Sequence, residues 1–325
     1  MISLFKSVPT GDEYEAIKHV MESGWWDKGP KVAELEQKFA DFVGAKYAIA
    51  TNSCTAALDI AVRMLPYDTF TVSPLTFVSS ASCVINAGKK VEFVDIDPLS
   101  LCTPQADIQV LYAGNDFGEG TIYDMAHFGG GKHKGLMSCW SFQARKNLPT
   151  GDGGMLTTNN EEIAQRARAI SWYGVNKSTY DRSQKKYSWD YEIKEVGIKG
   201  NMNDITAAIG LCQLEKLPQN NVKRALIASW YDQYLPQGIK RPFHSATWHM
   251  YVIRVPERDK VYDFMAENGV TCGVHYKPLY KYPIFPQTEL PNTEQAFKEI
   301  LTLPMHVDLT EDDVKEVCRL LSIQV

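Results

Sequence analysis

An α/β fold, with a sheet covered on both faces, is what this chain predicts, on three observations. Short apolar segments recur through its first half, each too brief for a stable helix. Between them lie stretches whose apolar residues return at helical spacing. At 325 residues the chain is long enough to bury a large core and to form two domains. Strands alternating with helices argue for a layered sheet, although strand order cannot be read from the pattern.

Taken in order, Gly11 to Met21 reads as a short helix, ended by the turn formers of Gly24-Trp25-Trp26-Asp27-Lys28-Gly29-Pro30. Lys31 to Val43 carries Val32, Leu35, Phe39 and Phe42 at helical spacing. Tyr47 to Ala50 reads as a buried strand and Thr55 to Met64 as a helix, with Thr51-Asn52-Ser53-Cys54 as the turn between them. Phe70 to Val72, Val91 to Asp95, Ile108 to Tyr112, Thr121 to Tyr123, Met137 to Phe142 and Met155 to Thr158 continue the strands. Phe77 to Asn86 and Glu161 to Ile170 are the intervening helices. Asp204 to Leu217 and Val222 to Leu235 read as two further helices. A strand over Met250 to Val255, a helix over Asp259 to Glu267 and a Pro- and Tyr-rich stretch from Pro278 to Pro291 follow. The last helix, Glu311 to Leu321, has a cap at Thr310 with Asp313 in the position where glutamate is usual. The division falls near residue 220, with a large domain over 1–220, N-terminal arm included, and a smaller α+β domain over 221–325.

Thirty-four basic against 39 acidic residues leave a net charge of −5, which argues against nucleic acid or an anionic membrane as partner. The seven cysteines are scattered and never form a C-x-x-C pair, so buried thiols in a reducing compartment are expected rather than disulfides or a zinc site. No apolar run approaches the length of a membrane span, and a cytoplasmic protein is the expectation.

The chemistry concentrates around Lys146. It follows the buried strand Met137 to Phe142 and precedes the turn Gly151-Asp152-Gly153-Gly154. Desolvation there favours the neutral amine, the form that condenses with a carbonyl, so Lys146 reads as a Schiff-base lysine. The ordinary alternative is a lysine reaching solvent from a strand end. Asp124 ends the strand Thr121 to Tyr123, at the edge where clefts open in such sheets. A carboxylate there pairs with a protonated ring nitrogen, as pyridoxal phosphate requires, or else closes an Asx-turn. His127 either donates to the phenolic oxygen of such a ring or is simply a packed histidine. Ser53, Cys54 and Thr55 start a helix and present amides and hydroxyls to one phosphate, unless Ser53 merely caps. Ser141 adds a hydroxyl, and Phe77 either stacks on a planar ring or belongs to the core.

Other motifs fall away. Gly129-Gly130-Gly131-Lys132 lacks the hydroxyl residue and spacing of a triphosphate loop. Gly151-Asp152-Gly153-Gly154 precedes a strand rather than opening a helix, unlike a dinucleotide fingerprint. No H-E-x-x-H or G-x-S-x-G pattern occurs.

In order along the chain, these pieces resemble the DegT/DnrJ/EryC1/StrS family of pyridoxal-phosphate-dependent nucleotide-sugar aminotransferases. The resemblance runs from Gly24 to Met305. It is carried by Ser53-Cys54-Thr55-Ala56-Ala57-Leu58, Pro74-Leu75-Thr76-Phe77, Val94-Asp95-Ile96-Asp97, Asp124-Met125-Ala126-His127 and Ser141-Phe142 with Lys146-Asn147. Gly151 to Gly154, Gly200 to Ile205, His275-Tyr276 and Leu303-Pro304-Met305 complete it. It implies a fold-type I aminotransferase fold with a mostly parallel sheet, active as a homodimer with shared sites. Lys146 would bind pyridoxal 5′-phosphate covalently, Asp124 the ring nitrogen, and His127 would lie beside the ring. Ser53, Thr55 and Ser141 would hold the phosphate, with Cys54 in the same turn and Phe77 near the ring face. Lys199 would reach the neighbouring subunit's phosphate, where many relatives carry asparagine. Glutamate would be the amino donor, pyridoxamine 5′-phosphate the carrier and a keto sugar on a nucleoside diphosphate the acceptor.

Three departures accompany the resemblance. Cys54 replaces a glycine of the phosphate turn, and glycine tolerates dihedrals that cysteine does not. The stretch from Pro98 to Asp124 is short, as though a strand–helix unit were missing. The residues around Tyr173 to Trp189 and Pro278 to Phe285 match no single substrate subgroup. A sugar dehydratase of the same family is the nearest rival, but that branch replaces the lysine with histidine. A non-catalytic relative of the same fold is another, and an oxidoreductase lacks its glycine pattern.

Overall fold

The computed structural model describes residues 1–175, 180, 189, 191–239, 241 and 247–324. Seven strands form one sheet: β1 (Tyr47–Thr51), β2 (Thr69–Val72), β3 (Lys90–Phe93), β4 (Ile108–Val110), β5 (Ile122–Asp124), β6 (Met137–Ser141) and β7 (Gly154–Thr158). Their order is β1-β7-β6-β5-β4-β2-β3. All neighbours are parallel except β7, which runs against both β1 and β6.

Period-two alternation sends successive residues of each strand into two different cores. Ile49, Met137, Cys139 and Leu156 face one core with Leu58 and Ala61 of α3 (Cys54–Met64). Ala48, Ala50, Trp140 and Met155 face the other with Leu35 and Phe39 of α2 (Pro30–Val43). α1 (Glu13–Ser23), α4 (Ser79–Asn86) and α5 (Glu161–Ile170) complete the helices of this part. The sheet covered on both faces is therefore observed, with consecutive apolar residues as both-sided burial requires.

The two helices expected over 204–217 and 222–235 are one. α6 runs from Asp204 to Tyr234, 31 residues, through Pro218. An interior proline removes one backbone hydrogen bond, at a cost of about 3 kcal/mol. Burial on either side of it offsets that cost: Leu214 and Leu217 pack into the α2 core, and Ile227, Ala228 and Tyr231 into a third core. That third core lies around a two-stranded antiparallel sheet, β8 (Tyr251–Arg254) and β9 (Ile300–Leu303), with α7 (Arg258–Glu267) and α9 (Glu311–Gln324). We propose that the division near residue 220 falls inside α6. The N-terminal arm joins the C-terminal layer: Ile2 exchanges backbone hydrogen bonds with Gly269 and Thr271, and Met305 N donates to Leu4 O.

α8 (Pro291–Glu299) and β9 follow one another without a loop, where no elements were expected. The Asp95 carboxylate accepts from the Asn292 and Thr293 amides at 3.0 and 2.9 Å, a cap supplied from across the chain. At Thr310 the expected cap is present, with Asp313 returning the bond as glutamate would. The strand expected to reach Tyr112 stops at Val110 and becomes a 3₁₀ turn, Tyr112–Gly114. No helix links the parallel neighbours β4 and β5. Instead, the buried Gln109 amide donates to Thr103 O and Phe117 O and holds the loops over the sheet edge.

Asp204 ties α6 to α2: its carboxylate accepts from the amides of Gly29, Lys31 and Val32 at 2.9 to 3.1 Å. Asp204→Ala should leave these amides unpaired and destabilise the protein by about 3 kcal/mol. Urea unfolding measures this, and a loss under about 0.5 kcal/mol would remove the role.

Candidate active site

Three strand ends meet at one edge of the sheet. β5 and β6 are parallel neighbours, so Asp124 and Ser141, their last residues, point the same way along the sheet. β7 starts at Gly154, level with both Ser141 and Thr51. A side chain at Gly154 would lie 2.5 Å from Cys54 N and Ser53 C, so only glycine allows the α3 start to approach so closely.

A cavity of about 460 Å³ opens at this edge. It is lined by eight of the nine residues expected from sequence: Ser53, Cys54, Thr55, Phe77, Asp124, His127, Ser141 and Lys146. Lys199 is not among its lining. Its ammonium lies 3.6 Å from the centre of the Trp172 ring and 3.9 Å from Asp27, while its carbonyl accepts from Asn52 beside the phosphate turn.

Burial pulls the Lys146 amine down to about 8, chiefly by desolvation and against the attraction of Asp124. Asp124 is 5% exposed. Desolvation raises its carboxyl above the ordinary range, while the Ser80 hydroxyl at 2.7 Å and the Ala126 amide at 3.0 Å act in the opposite sense. The alternative of an Asx-type turn is thus partly realised, since Asp124 accepts from Ala126 two residues on. Its other oxygen takes the Ser80 hydroxyl, and both groups hold the carboxylate in place at the cavity wall.

Ser53 caps α3 in extended conformation, its hydroxyl accepting from Ala56 N at 3.1 Å, and its carbonyl accepts from Ala57 N. The Ser53 hydroxyl thereby satisfies one of the four orphan amides of the helix start, and its carbonyl takes the first regular helix bond. The amides of Cys54 and Thr55 find no protein acceptor among the described residues. Cys54 is the first helical residue and carries no positive φ, so its side chain does not distort the turn. It is buried instead, and burial pushes its thiol well up. Phe77 lies just before α4 rather than inside it, 56% exposed, so the core alternative does not hold.

Several residues at the site carried no signal or no assigned role in the sequence. Asn147 donates both amide hydrogens, to Asn221 Oδ1 of α6 at 3.0 Å and to Thr247 O at 2.8 Å. Its oxygen therefore accepts from His249 Nδ1 at 3.2 Å. His249 lies face to face with His127 on one side, centroids 4.9 Å apart, and with Phe5 on the other, 5.5 Å apart. Phe5 and His249 stood outside every recognisable motif. Tyr276 belonged to a matched segment, and its hydroxyl meets His127 Nε2 at 3.0 Å. The substrate-facing expectation over Tyr173 to Trp189 lies largely outside the described residues, whereas Leu279, Tyr280 and Phe285 are buried against Phe93 and its core.

No group of three or more metal-ligating side chains occurs among the described residues. All seven cysteines are free, six of them buried. No helix among the described residues is long and apolar enough to cross a membrane.

The arrangement fits pyridoxal phosphate group by group. A low-pKa amine suits its aldehyde, a desolvated carboxylate its ring nitrogen, and two spare helix amides beside Ser53, Thr55 and Ser141 its phosphate.

Comparison with known proteins agrees. The chain is 34% identical over 359 aligned positions to the spore coat polysaccharide biosynthesis protein SpsC of Bacillus subtilis, covering 94% of this chain and 92% of that one. Its fold matches the aminotransferase TlmJ of Streptoalloteichus hindustanus with a TM-score of 0.88 at 26% identity, over the full length of both chains. Spr1654 of Streptococcus pneumoniae, provisionally named a sugar aminotransferase and solved in a PMP form, matches with a TM-score of 0.90 at 25% identity, covering 99% and 98% of the two chains. The model of the DegT/DnrJ/EryC1/StrS aminotransferase family matches residues 9–112 and 120–322, and the chain belongs to that family.

Proposed function

We propose that this protein transfers an amino group from glutamate to a keto group of a sugar, often 6-deoxy, linked to a nucleoside diphosphate, with pyridoxal 5′-phosphate as carrier. The observation that carries the reading is a lysine amine lowered to about 8 in one cavity with a buried carboxylate and a helix start with spare amides. Family membership and the sugar-related names of relatives support it.

Bound there, the cofactor supplies an aldehyde that captures amines and a protonated ring that takes up electrons from a carbon losing its proton. The protein does the rest. Asp124, fixed by Ser80 and Ala126, is a desolvated carboxylate that a cationic ring nitrogen would compensate. The amides of Cys54 and Thr55 and the hydroxyls of Ser53, Thr55 and Ser141 would bind the phosphate, aided by the α3 dipole. Phe77 would flank the ring. Lys146 Nζ, substantially neutral near pH 8, takes a proton from the substrate carbon and returns it. The Asn147 anchors to α6 and Thr247 restrict where that amine travels. Lysine rather than histidine at 146 favours amino transfer over the dehydratase alternative.

The active unit we propose is a homodimer in the cytoplasm. Lys199 lies outside the cavity of its own chain, as a residue serving the partner's phosphate would.

Purified protein should be yellow, with an aldehyde–amine absorbance band that borohydride removes. Lys146→Ala should lack the band and all transfer from glutamate to keto sugars on dTDP, UDP or GDP. A colourless wild-type protein that takes up no added cofactor would sink the reading.

Below its pKa Lys146 is an unreactive ammonium. Aldehyde capture by the cofactor-free protein should therefore accelerate with rising pH and level off above about 8. An ordinary lysine levels off only above about 10.4. Stopped-flow absorbance reads the profile, and a plateau near 10.4 would contradict the desolvated amine.

Asp124→Asn should remain folded but lose roughly a hundredfold in transfer rate, because a neutral amide holds no proton on the ring nitrogen. Steady-state kinetics with saturating cofactor test this, and an unchanged rate would count against the role.

A further inference from the structure

The family model leaves residues 113–119 unmatched, within the connection between β4 and β5. Inside that stretch Ala113 sits at φ 51, a left-handed conformation that alanine rarely adopts. Such a backbone persists only where its surroundings hold it. Here the turn aims the Ala113 amide at His127 Nδ1, 3.4 Å away.

A backbone amide can only donate, so Nδ1 is bare and the neutral imidazole carries its hydrogen on Nε2. Burial keeps that ring neutral, and it is 4% exposed. Nε2 lies 3.0 Å from the Tyr276 hydroxyl and must donate to it. Both nitrogens of His127 are then committed. The hydrogen left over is that of the Tyr276 hydroxyl, which lines the cavity and has no second partner among the described residues. Burial pushes the Tyr276 phenol up, so it keeps that hydrogen.

We propose that the β4–β5 connection, through the Ala113 amide, orients His127 so that Tyr276 donates a hydrogen bond to an oxygen acceptor of a ligand in the cavity. Ala113 and His127 are positioning residues, and Tyr276 is the residue that touches the ligand. The acceptor is a cofactor ring oxygen or an oxygen of the sugar. This rests on the reading of the cavity given under the proposed function. It also alters the expectation for His127, whose donation to the ring would pass through Tyr276.

The positioning half is read in cofactor-free protein labelled with ¹⁵N-histidine, by long-range proton–nitrogen correlation, with His127→Gln assigning the signals. His127 should carry its hydrogen on Nε2 in the wild type and in Tyr276→Phe alike, because Ala113 sets it. A hydrogen on Nδ1 in either protein overturns the proposal.

The ligand half compares Tyr276→Phe with wild type in two arms. One measures the dissociation constant of pyridoxal phosphate from cofactor-free protein, the other the KM of loaded enzyme for the keto sugar. Loss of one donor should weaken one arm about tenfold. Weakening in the first assigns the acceptor to the cofactor, and in the second to the sugar. No change in either overturns the proposal. Should wild-type protein transfer no amino group, the proposed function fails separately, and the tautomer with the cofactor arm decides the donor alone.

Discussion

Desolvation of the Lys146 amine beside a buried carboxylate is the constraint on which the site depends. In water both groups would be charged and unreactive. At the sheet edge, the same burial lowers the amine and raises Asp124, and each moderates the other. This requires a wall that excludes solvent and strands that end side by side. Parallel pairing of β5 with β6 supplies the second, and the two apolar cores flanking the sheet supply the first. The chemistry is thus a consequence of where a close-packed sheet stops.

α6 is the strut that keeps the edge in register. Asp204 at its start holds the turn before α2, and Asn221 in its middle holds Asn147 beside the lysine. One turn further, Arg224 donates to Trp248 O and Met305 O, fixing the segment that carries His249. Three parts of the chain far apart in sequence are therefore referred to one helix. Groups held this way keep their geometry better than groups on free loops. The proline at 218 is tolerated because both ends of the helix are packed.

Much of the fold was legible, since it rests on local periodicity. The strands of the large sheet, the α2 and α3 helices and the Thr310–Asp313 cap all follow from nearest neighbours. The readings that failed did so for non-local reasons. Pro218 suggests a break, and only burial on either side overrides it. α8 is capped by Asp95, nearly two hundred residues earlier, so nothing local announces its start. Of the site, Asp124, Ser141, Ser53 and Thr55 were visible because they stand at strand or helix ends, and Lys146 and His127 because they follow such ends within a few residues. The concern over Cys54 came from glycine's freedom, and the helical backbone at that residue removes it. Phe5 and His249 had no signal, for their roles consist entirely of contacts with residues elsewhere.

By itself, the order of residues determined which segments are strands and helices, and which polar groups stand at their ends. Spacing and capping act between neighbours, so they need no folded partner to be read. Tertiary structure alone decided that those ends converge on one cavity, that Lys199 is not among its lining, and which neighbours face the ring nitrogens of His127 and His249. Desolvation and tautomer choice are set by atoms that the chain brings close only in space, and no local pattern encodes them.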